Sequence, residues 1–580
     1  MAASSALAVD YHNQTTGTLN WSDDSMWVVN ESSNPGQTPT INDTAYIFYN
    51  SRTADNPLDI YVDVDAAIKK LRVNYTGSAT RLNLFANGAT KGTTFKVDTA
   101  MVGASDALNI NWGSGVTTKD GYLEFAGVSG STVNLTNSLD STNKIYIKFT
   151  EVGDMNSKTL VFGKDVAVNS TNHLVFLGGE SGALAGGYNY IVDGTLTAKN
   201  GDTYKDITLG ASNYGLNFTL NSNGVINANN LALESKCVVN INGKVNLMKS
   251  EDYSMGSGKL TISGNFNVGT NAFKFSGGEL TIASNNAITA GSTQLQGSTA
   301  DSVITIAKGI TYNADILKFS TKQTLNVNGT LNHTLSDGGI INLNIGNEGT
   351  YVVKNRTGTS TWTIFGGKNV IDGKLVTTGF TDDSKIASGE MIVNEGAEII
   401  HNGGRLMLDG YQNVWGDIGK KAILTINASN AFKKSETASQ SSFSLTIFRG
   451  EATININADN QFNLLSFQGL SDAAQAAYLH LNVAEGAILE LSQITGLISG
   501  KNSYLIFDIF GNNRIKVTNI GDVDISLISS ADGNWKDFYF EQDNQSGGFW
   551  LNAIQVPEPS IYAMFLGALA LGFATWRKRK

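Results

Sequence analysis

The segments SNGVINA at 222–228, INGKVNL at 241–247 and ISGNFNV at 262–268 share one pattern. Each contains a polar residue followed by glycine, and then a short strand in which apolar and polar residues alternate. Glycine adopts the positive φ of a tight turn without steric cost, and Asn or Asp before it tolerates the same region. The alternation buries one face of each strand. The pattern therefore predicts a turn-and-strand unit that repeats.

The same unit recurs in degenerate form between about Leu160 and Gly500. Several of its intervals are about 20–24 residues, which suits one coil of a parallel β-helix. One unit cannot bury its apolar face alone, whereas stacked units form a continuous core. The glycines of the eight clearest copies are Gly194, Gly224, Gly243, Gly264, Gly329, Gly349, Gly373 and Gly396.

Asn-Gly and Asp-Gly turns are also typical of hairpins, so an antiparallel sandwich or a propeller is the alternative architecture. Propeller blades, however, repeat at about 40 to 50 residues. Only five of the 580 residues are proline, which suits a fold in which almost every backbone N–H joins a ladder. We predict an all-β protein: an elongated parallel β-helix, a solenoid of coils of about 20–24 residues, with a single C-terminal transmembrane helix.

The composition excludes several classes of function. Charged residues make up 16% of the chain, the net charge is -10 and the pI is near 5.1, so a nucleic-acid partner is not expected. Cys237 is the only cysteine, which excludes an intramolecular disulfide and a thiolate metal site. Its flanks have the pattern of a strand, so we expect a small buried residue there. No cofactor is predicted.

The C-terminus contains the apolar run IYAMFLGALALGFAT at 561–575. The run is preceded by Pro557-Glu558-Pro559 and followed by Trp576-Arg577-Lys578-Arg579-Lys580. It is apolar all round, unlike an amphipathic core helix, and it is short for a membrane span. Trp576 suits the membrane interface, and the positive-inside rule places the four terminal cations in the cytoplasm. We therefore expect the rest of the chain on the far side of the inner membrane.

This order of parts resembles the PEP-CTERM sorting signal of exported Gram-negative proteins. The resemblance implies that Pro557, Glu558 and Pro559 are the sorting motif. It also implies that an exosortase-type protease recognises the motif, removes the tail and leaves the mature protein at the cell surface or in the extracellular matrix. The alternative is a plain C-terminal anchor with a proline-stiffened entry.

The two ends of the repeat differ from its middle. Residues 17–75, with GTLNWSDDSMW, and residues 501–554 resemble the opening and the closing cap of autotransporter-type β-helix passengers. The predicted parts are a signal-peptide remnant, N-terminal cap strands, the β-helix, C-terminal cap strands and the PEP-CTERM tail, at 1–8, 9–75, 76–500, 501–554 and 556–580. Ala6-Leu7-Ala8 looks like the end of a signal-peptide cleavage site, so we expect the rest of a signal peptide to precede Met1.

Carboxylates on neighbouring coils are the first candidates for acid–base chemistry, because glycosidases pair two of them. The candidates are Asp23-Asp24, Asp382-Asp383 and the evenly spaced Asp59, Asp63 and Asp65. The last three are also a candidate calcium site, but they lack the glycine and the later glutamate of a calcium loop. Arg514-Ile515-Lys516 matches a short basic motif of polygalacturonases, whose Asn-Thr-Asp and Gly-His-Gly motifs are absent here.

The other candidates are histidines and tryptophans. No histidine has a metal-ligating partner at close spacing, and we expect His333 to be solvent-facing or stacked. Exposed tryptophans would stack on sugar rings, although packing in corners is the simpler expectation. The histidines are His12, His173, His333, His401 and His480, and the tryptophans considered are Trp112, Trp362 and Trp415.

The sequence favours a noncatalytic, structural or adhesive protein of the cell surface or extracellular matrix. Its expected partners are the inner membrane, transiently through 561–575, a processing enzyme of the exosortase type, and an extracellular or host polysaccharide. The alternatives are a carbohydrate-active enzyme and a polysaccharide-binding protein on the same scaffold.

Overall fold

The fold is known from a computed structural model, and it comprises two compact units. The first unit contains residues 1–297 and 302–315, and the second contains 298–301 and 316–580. The structure describes residues 10–13, 18–29, 37–49, 58–75, 80–99, 105–112, 121–140, 142–150, 157–178, 187–211, 215–297, 302–319, 323–335, 339–355, 363–378, 384–401, 405–410, 421–434, 443–469, 476–556 and 559–579.

The first unit is built almost entirely of short strands, with one 3₁₀ turn at Asp24–Met26. Its strands are β1 (Asp10–Asn13), β2 (Thr18–Asn20), β3 (Trp27–Val29), β4 (Thr44–Tyr49), β5 (Leu58–Tyr61), β6 (Ala66–Ile68), β7 (Lys70–Tyr75), β8 (Thr80–Asn83), β9 (Thr94–Asp98), β10 (Ser105–Trp112), β11 (Gly121–Ala126), β12 (Ser131–Thr136), β13 (Lys144–Thr150), β14 (Lys158–Phe162), β15 (Val166–Ser170), β16 (His173–Leu177), β17 (Tyr188–Val192), β18 (Thr195–Asn200), β19 (Thr203–Tyr204), β20 (Ile207–Leu209), β21 (Leu216–Leu220), β22 (Val225–Ala228), β23 (Leu231–Leu233), β24 (Cys237–Ile241), β25 (Lys244–Leu247), β26 (Tyr253–Met255), β27 (Lys259–Ile262), β28 (Asn265–Asn267), β29 (Ala272–Phe275), β30 (Glu279–Ile282), β31 (Ile288–Thr289), β32 (Ser292–Gly297) and β33 (Val303–Ile306).

Successive strands of the first unit belong to three parallel sheets in turn. This order is the topology of a parallel β-helix. The first sheet contains β4, β7, β10, β13, β16, β20 and β23. The second contains β5, β8, β11, β14, β17, β21, β24, β27, β30 and β33, and the third contains β6, β9, β12, β15, β18, β22, β25, β28 and β31. Later in the chain, β26, β29 and β32 form their own parallel ladder. The all-β prediction and its parallel pairing are confirmed.

A column of apolar side chains runs through the second sheet. Each member is in register with the next, and all are fully buried: Leu82, Phe125, Phe162, Val192, Leu220, Ile241, Ile262, Ile282 and Ile306. Complete burial of such a side chain contributes roughly 1.5–3 kcal/mol. The column is therefore part of the core of this unit, as the alternating pattern predicts.

The same column shows that coil length is not constant. Each step from Leu220 to Ile306 has the predicted coil length, whereas each step from Leu82 to Leu220 is longer. Part of the difference lies at one corner, and the rest lies in the other links and in longer strands. The link from the first sheet to the second has six to ten residues after β10, β13, β16 and β20, but three after β23. A coil of the predicted length is therefore wrong between Leu82 and Leu220, and it is wrong again in much of the second unit, where the steps from Val393 to Val483 are 27 to 33 residues long.

Repeat glycines are required here by close packing and not by positive φ. A Cβ on Gly243 would lie 2.2 Å from the carbonyl oxygen of Gly224, and one on Gly264 would lie 2.0 Å from that of Gly243. The same carbonyls accept hydrogen bonds from Lys244 N and Asn265 N, each at 2.9 Å. Of the repeat glycines, Gly396 does have positive φ, at 82°. The prediction that a positive φ requires glycine is therefore wrong at Gly194, Gly224, Gly243, Gly264, Gly349 and Gly373.

Asparagine side chains extend the ladder outside the core. The side-chain amide of Asn246 donates to Asn227 Oδ1 at 2.9 Å, one coil earlier. At a corner of the second unit, three asparagines and one aspartate form a chain with spacings of 2.7, 2.9 and 2.6 Å: Asn457, Asn427, Asn394 and Asp372. Each such hydrogen bond contributes about 1 kcal/mol net to stability, which explains why asparagine is found at these positions.

The N-terminal end of the first unit carries a pair of tryptophans. Trp21 and Trp27 are buried, with ring centroids 4.7 Å apart, and Trp27 Nε1 donates to Trp21 O. Trp21 also packs edge-on against Phe95, 5.2 Å away. Here β3 pairs antiparallel with β1, which departs from the parallel pattern of the later coils.

The second unit contains strands from β34 onward, a 3₁₀ turn at Ile525–Leu527 and one helix. β34 (Thr311–Phe319) crosses the boundary between the units. The others are β35 (Thr324–Val327), β36 (Thr330–Leu335), β37 (Gly339–Ile341), β38 (Leu343–Ile345), β39 (Thr350–Asn355), β40 (Thr363–Ile371), β41 (Lys374–Thr378), β42 (Ser384–Val393), β43 (Glu398–His401), β44 (Arg405–Asp409), β45 (Lys421–Ile426), β46 (Phe432–Lys434), β47 (Ser444–Ile456), β48 (Asn460–Phe467), β49 (Ala477–Val483), β50 (Leu489–Thr495), β51 (Ser503–Phe507), β52 (Ile515–Asn519), β53 (Ile528–Ser530), β54 (Trp535–Gln542), β55 (Phe549–Gln555) and the helix α1 (Pro559–Arg577).

The second unit repeats the stacked parallel arrangement with longer strands. Its buried column consists of Val327, Ile345, Ile371, Val393, Ile426, Ile456 and Val483. A long strand of this unit can also bend at a corner and pair with two different strands. β42 pairs with β44 through Ser384–Ala387 and with β45 through Glu390–Val393. Between the two stretches, a Cβ on Gly389 would lie 2.9 Å from Phe365 O, so a side chain is excluded at this corner.

An antiparallel hairpin closes the C-terminal end of the second unit. β55 pairs antiparallel with both β52 and β54. Lys516 attaches the hairpin to β52, because its ammonium lies 2.8 Å from Asp543 Oδ2 and 5.4 Å from the ring centre of Trp550. This hydrogen bond from Lys516 is the main reason that the pKa of Asp543 is lowered. The hairpin ends with Val556 N donating to Asn534 O at 2.7 Å.

The helix α1 follows the hairpin and contains 19 residues. Its described side chains, from residue 563 onward, are all exposed. Within the described residues, no helix has both the length and the apolar content needed to cross a membrane. The predicted transmembrane helix is therefore not supported.

Two titratable side chains lie inside the core. His333 is buried and stacks on Tyr351, with ring centroids 5.2 Å apart, and burial lowers its pKa to about 3. Of the two positions predicted for the His333 side chain, the stacked one is confirmed and the solvent-facing one is wrong. Cys237 is fully buried, as predicted, and its Sγ lies 2.9 Å from Leu209 O. Burial raises its pKa to about 11.

Gly243→Ala should destabilise the fold, because the added methyl meets a backbone carbonyl that cannot move without breaking a ladder bond. We expect a loss of roughly 2 kcal/mol in the free energy of unfolding, measured by urea denaturation. The matched control is Gly396→Asn, where φ is positive and nothing lies within 4 Å of the new Cβ. Equal losses in the two variants would contradict the proposed clash.

His333→Phe should reduce the loss of stability in acid. Folded His333 stays neutral down to its pKa of about 3, whereas unfolded histidine binds a proton below about pH 6.5. The unfolded state therefore binds more protons between these values, and this group lowers stability by up to about 1.4 kcal/mol for each unit that the pH falls. Unfolding curves between pH 7 and 4 measure this slope, with Tyr351→Phe as the control. Identical slopes for wild type and His333→Phe would exclude it.

Cys237 should not react with a thiol reagent in the native protein. Its burial and its raised pKa leave little accessible thiolate at neutral pH. We expect Ellman's reagent to label no thiol in buffer and one thiol per chain in 6 M guanidinium. Rapid labelling of the folded protein would show that the strand around Cys237 opens readily.

Candidate functional site

The predicted sorting motif and basic tail flank α1. Pro559 is the first residue of α1, whereas Pro557 and Glu558 lie outside the described residues. Trp576 is 59% exposed, and its ring packs edge-on against Phe573 at 6.4 Å. The basic side chains that follow it are also exposed, namely Arg577, Lys578 and Arg579, and Lys580 lies outside the described residues.

The predicted aspartate set near the N-terminus does not converge on one point. Asp59 faces Arg81 and Asn83, whereas Asp63 accepts hydrogen bonds from Ser22. Asp65 accepts one from Thr94 N at 2.7 Å. Across the described part of the chain, no group of three or more His, Cys, Asp or Glu side chains is arranged to hold a metal ion.

The other predicted acidic pairs give no site either. The side chain of Asp23 caps the 3₁₀ turn by accepting from Ser25, and these hydrogen bonds lower the pKa of Asp23. Asp24 is the first residue of that turn. Asp382 and Asp383 lie outside the described residues.

The first unit does bring two carboxylates together on one outer face. Arg81 Nε donates to Glu124 Oε2 at 3.1 Å, and its Nη1 lies 3.7 Å from Asp59 Oδ1. Burial disfavours the charged guanidinium, but the hydrogen bond and charge of Glu124 outweigh it and raise the pKa of Arg81. Burial, and then the charge of Glu124, also raises the pKa of Tyr122. Both carboxylates pair with the arginine between them, so the group serves to join three strands.

Arg514 and Lys516 have structural partners near the C-terminal end of the second unit. Arg514 Nη1 donates to Val483 O at 2.9 Å, and Lys516 holds the hairpin as described above. The two side chains thus have separate structural partners.

Four histidine side chains are described, and they lie on four different strands. His173 Nε2 lies 2.8 Å from Thr208 Oγ1, and burial together with the charge of Lys144 lowers its pKa. His333 and His401 are buried against aromatic rings. His12 is in β1, and nothing of its side chain is described. His480 lies on an outer face within 4 Å of two carboxylates.

The group around His480 was not predicted from the sequence. His480 Nδ1 lies 2.8 Å from Asp508 Oδ1, and its Nε2 lies 3.9 Å from Glu451 Oε1. Lys421 Nζ is 3.3 Å from the same oxygen of Glu451. The members come from successive strands, each one coil further along the chain, so only the register of the coils reveals the group.

Two tyrosines lie next to this group. Tyr478 and Tyr504 are in register on β49 and β51, with ring centroids 5.0 Å apart and planes inclined by only 11°. Tyr478 is 39% exposed. The aromatic residues that the sequence suggested for a sugar-binding surface were tryptophans. Of those, Trp112 ends β10 in register with Tyr75, whereas Trp362 and Trp415 lie outside the described residues.

A second unpredicted group is buried. Asp409 is inaccessible and lies against both Lys385 and Arg449, whose Nε is 3.3 Å from its carboxylate oxygens. A bulge between Leu408 and Asp409 places Arg449 opposite Asp409. Because Asp409 is inaccessible to solvent, this cluster serves to link the three strands that carry its members.

Comparisons with known proteins identify no relative. No family model matches the chain, and neither a curated protein nor a solved structure matches it.

Proposed function

We propose that this chain is an exported protein of the cell surface or extracellular matrix, with a structural or adhesive role. In this proposal the stacked β-coils are the mature body, and residues 556–580 are a sorting tail that an exosortase-type protease removes. The apolar stretch 561–575 associates with the inner membrane before that step, while the body lies on the periplasmic side.

The observation that carries the proposal is where the folded body ends. The last backbone hydrogen bond of the cap is donated by Val556, directly before Pro557. Beyond it, the described side chains of α1 are exposed although they are apolar, including Phe565 at 67% and Leu571 at 68%. Exposed apolar side chains in such a row indicate a partner outside the folded body. A cut in this region would leave the cap complete.

The outer faces support a noncatalytic body. Asparagine ladders and cross-coil ion pairs occupy the described faces, and the carboxylates of the Arg81 group are both paired. A glycoside hydrolase needs one carboxylate that keeps its proton and one that does not. The two carboxylates of the Arg81 group contact the same guanidinium and are not placed as a separate acid and base, which favours the noncatalytic role over the enzyme.

The proposal predicts a shortened C-terminus in the mature protein. We expect intact-mass analysis of the protein from the surface fraction of its native host to show loss of α1 and the basic tail. Pro557→Ala combined with Glu558→Ala should leave the tail uncut and the protein in the membrane fraction. Gln545→Ala, in the exposed hairpin loop, is the matched control and should be processed normally. A mature protein that retains Lys580 would contradict cleavage.

A further inference from the structure

We propose that the second unit binds a neutral polysaccharide on the outer face that carries Glu451, Tyr478, His480, Tyr504 and Asp508, here called the tyrosine face. This inference rests on the proposed function, because it gives the adhesive role a location and a ligand class. Three properties of the face carry it: its aromatic pair, its oriented polar groups and its charge.

The aromatic pair gives the face an apolar surface with hydroxyl groups at its edge. Tyr478 and Tyr504 stack with centroids 5.0 Å apart, and Tyr478 keeps 39% of its surface exposed. Tyrosine suits a surface on which one part of the ring is apolar and its hydroxyl is wet. The C–H faces of a sugar pack on such rings while its hydroxyls reach the polar groups around them.

The polar groups are positioned but still accessible. Asp508 orients the imidazole of His480 through a 2.8 Å contact, while the side chains of Asp508 and Glu451 remain 40% and 41% exposed. Carboxylate oxygens accept several hydrogen bonds, so each has capacity left for sugar hydroxyls. A few placed polar groups beside an apolar surface are the usual means of fixing a ligand's orientation. In the Arg81 group, by contrast, the carboxylate of Glu124 is only 19% exposed.

The extent of the face favours a polymer over a single sugar. Lys421, Glu451, Tyr478 and Tyr504 are register partners on four adjacent parallel strands. Strands are about 4.8 Å apart, so the row is roughly 14 Å long. A row of this length contacts more than one sugar ring.

The charge of the face selects a neutral ligand. Glu451 and Asp508 are two carboxylates accompanied by one lysine, Lys421, within a chain of net charge -10. A polyanion such as a polyuronate would meet like charge here, which disfavours its approach and its binding. A neutral glucan or mannan has no such penalty.

Affinity electrophoresis and calorimetry with the purified full-length chain test the proposal, using laminarin and mannan as neutral probes and polygalacturonate and alginate as anionic ones. We expect binding to at least one neutral polymer, and at least about tenfold weaker binding by the Tyr478→Ala, Tyr504→Ala double variant, equivalent to about 1.4 kcal/mol. Tyr122→Ala is the matched control, because Tyr122 lies beside Glu124 on an outer face of the first unit. It should bind as the wild type does.

Two further variants keep the test decisive if the double alanine variant unfolds. Tyr478→Phe with Tyr504→Phe keeps the rings and should retain most of the affinity, whereas Glu451→Ala changes an exposed group and should weaken binding. Absence of binding to both neutral probes, equal binding to the anionic ones, or wild-type affinity in Glu451→Ala or in a folded double alanine variant would each overturn the proposal. These outcomes are independent of tail cleavage, which is measured in cells.

Discussion

The architecture depends on how closely the turns of neighbouring coils approach each other. A carbonyl such as that of Gly224 accepts the N–H of the next coil and lies where a Cβ of Gly243 would stand. Because parallel strands are held about 4.8 Å apart, a side chain at that point has no room. Each coil is therefore fixed in register on the one before it. The buried columns and the asparagine ladders follow from that register.

The sequence predicted the elements well where the signal is local. The alternation after each turn predicted strands that the structure places at Val225–Ala228, Lys244–Leu247 and Asn265–Asn267. The need for glycine was predicted, but its reason was not, because the colliding carbonyl lies one coil earlier in the chain. The predicted coil length was wrong between Leu82 and Leu220 and in much of the second unit. Extra residues at a corner do not disturb the ladder, so no local pattern marks them.

The tyrosine face shows why functional groups were harder to predict than strands. In a sequence, candidate sites are sought among residues that are close along the chain, such as Asp59, Asp63 and Asp65. In a stacked coil, these three side chains contact different partners. Residues that do meet, such as Glu451 and His480, are one whole coil apart. Because coil length varies, their meeting follows only from the strand register.

Pairing of each coil with the next has a consequence for how the chain reaches its folded state. In the buried columns, successive contacts join residues that are a single coil apart, and each needs only the preceding coil as a template. Within a unit, coils can therefore be added one at a time to an existing end, with a modest loop-closure cost at every step. A chain that emerges gradually from a narrow channel would fold as it appears, and every added coil would oppose its return.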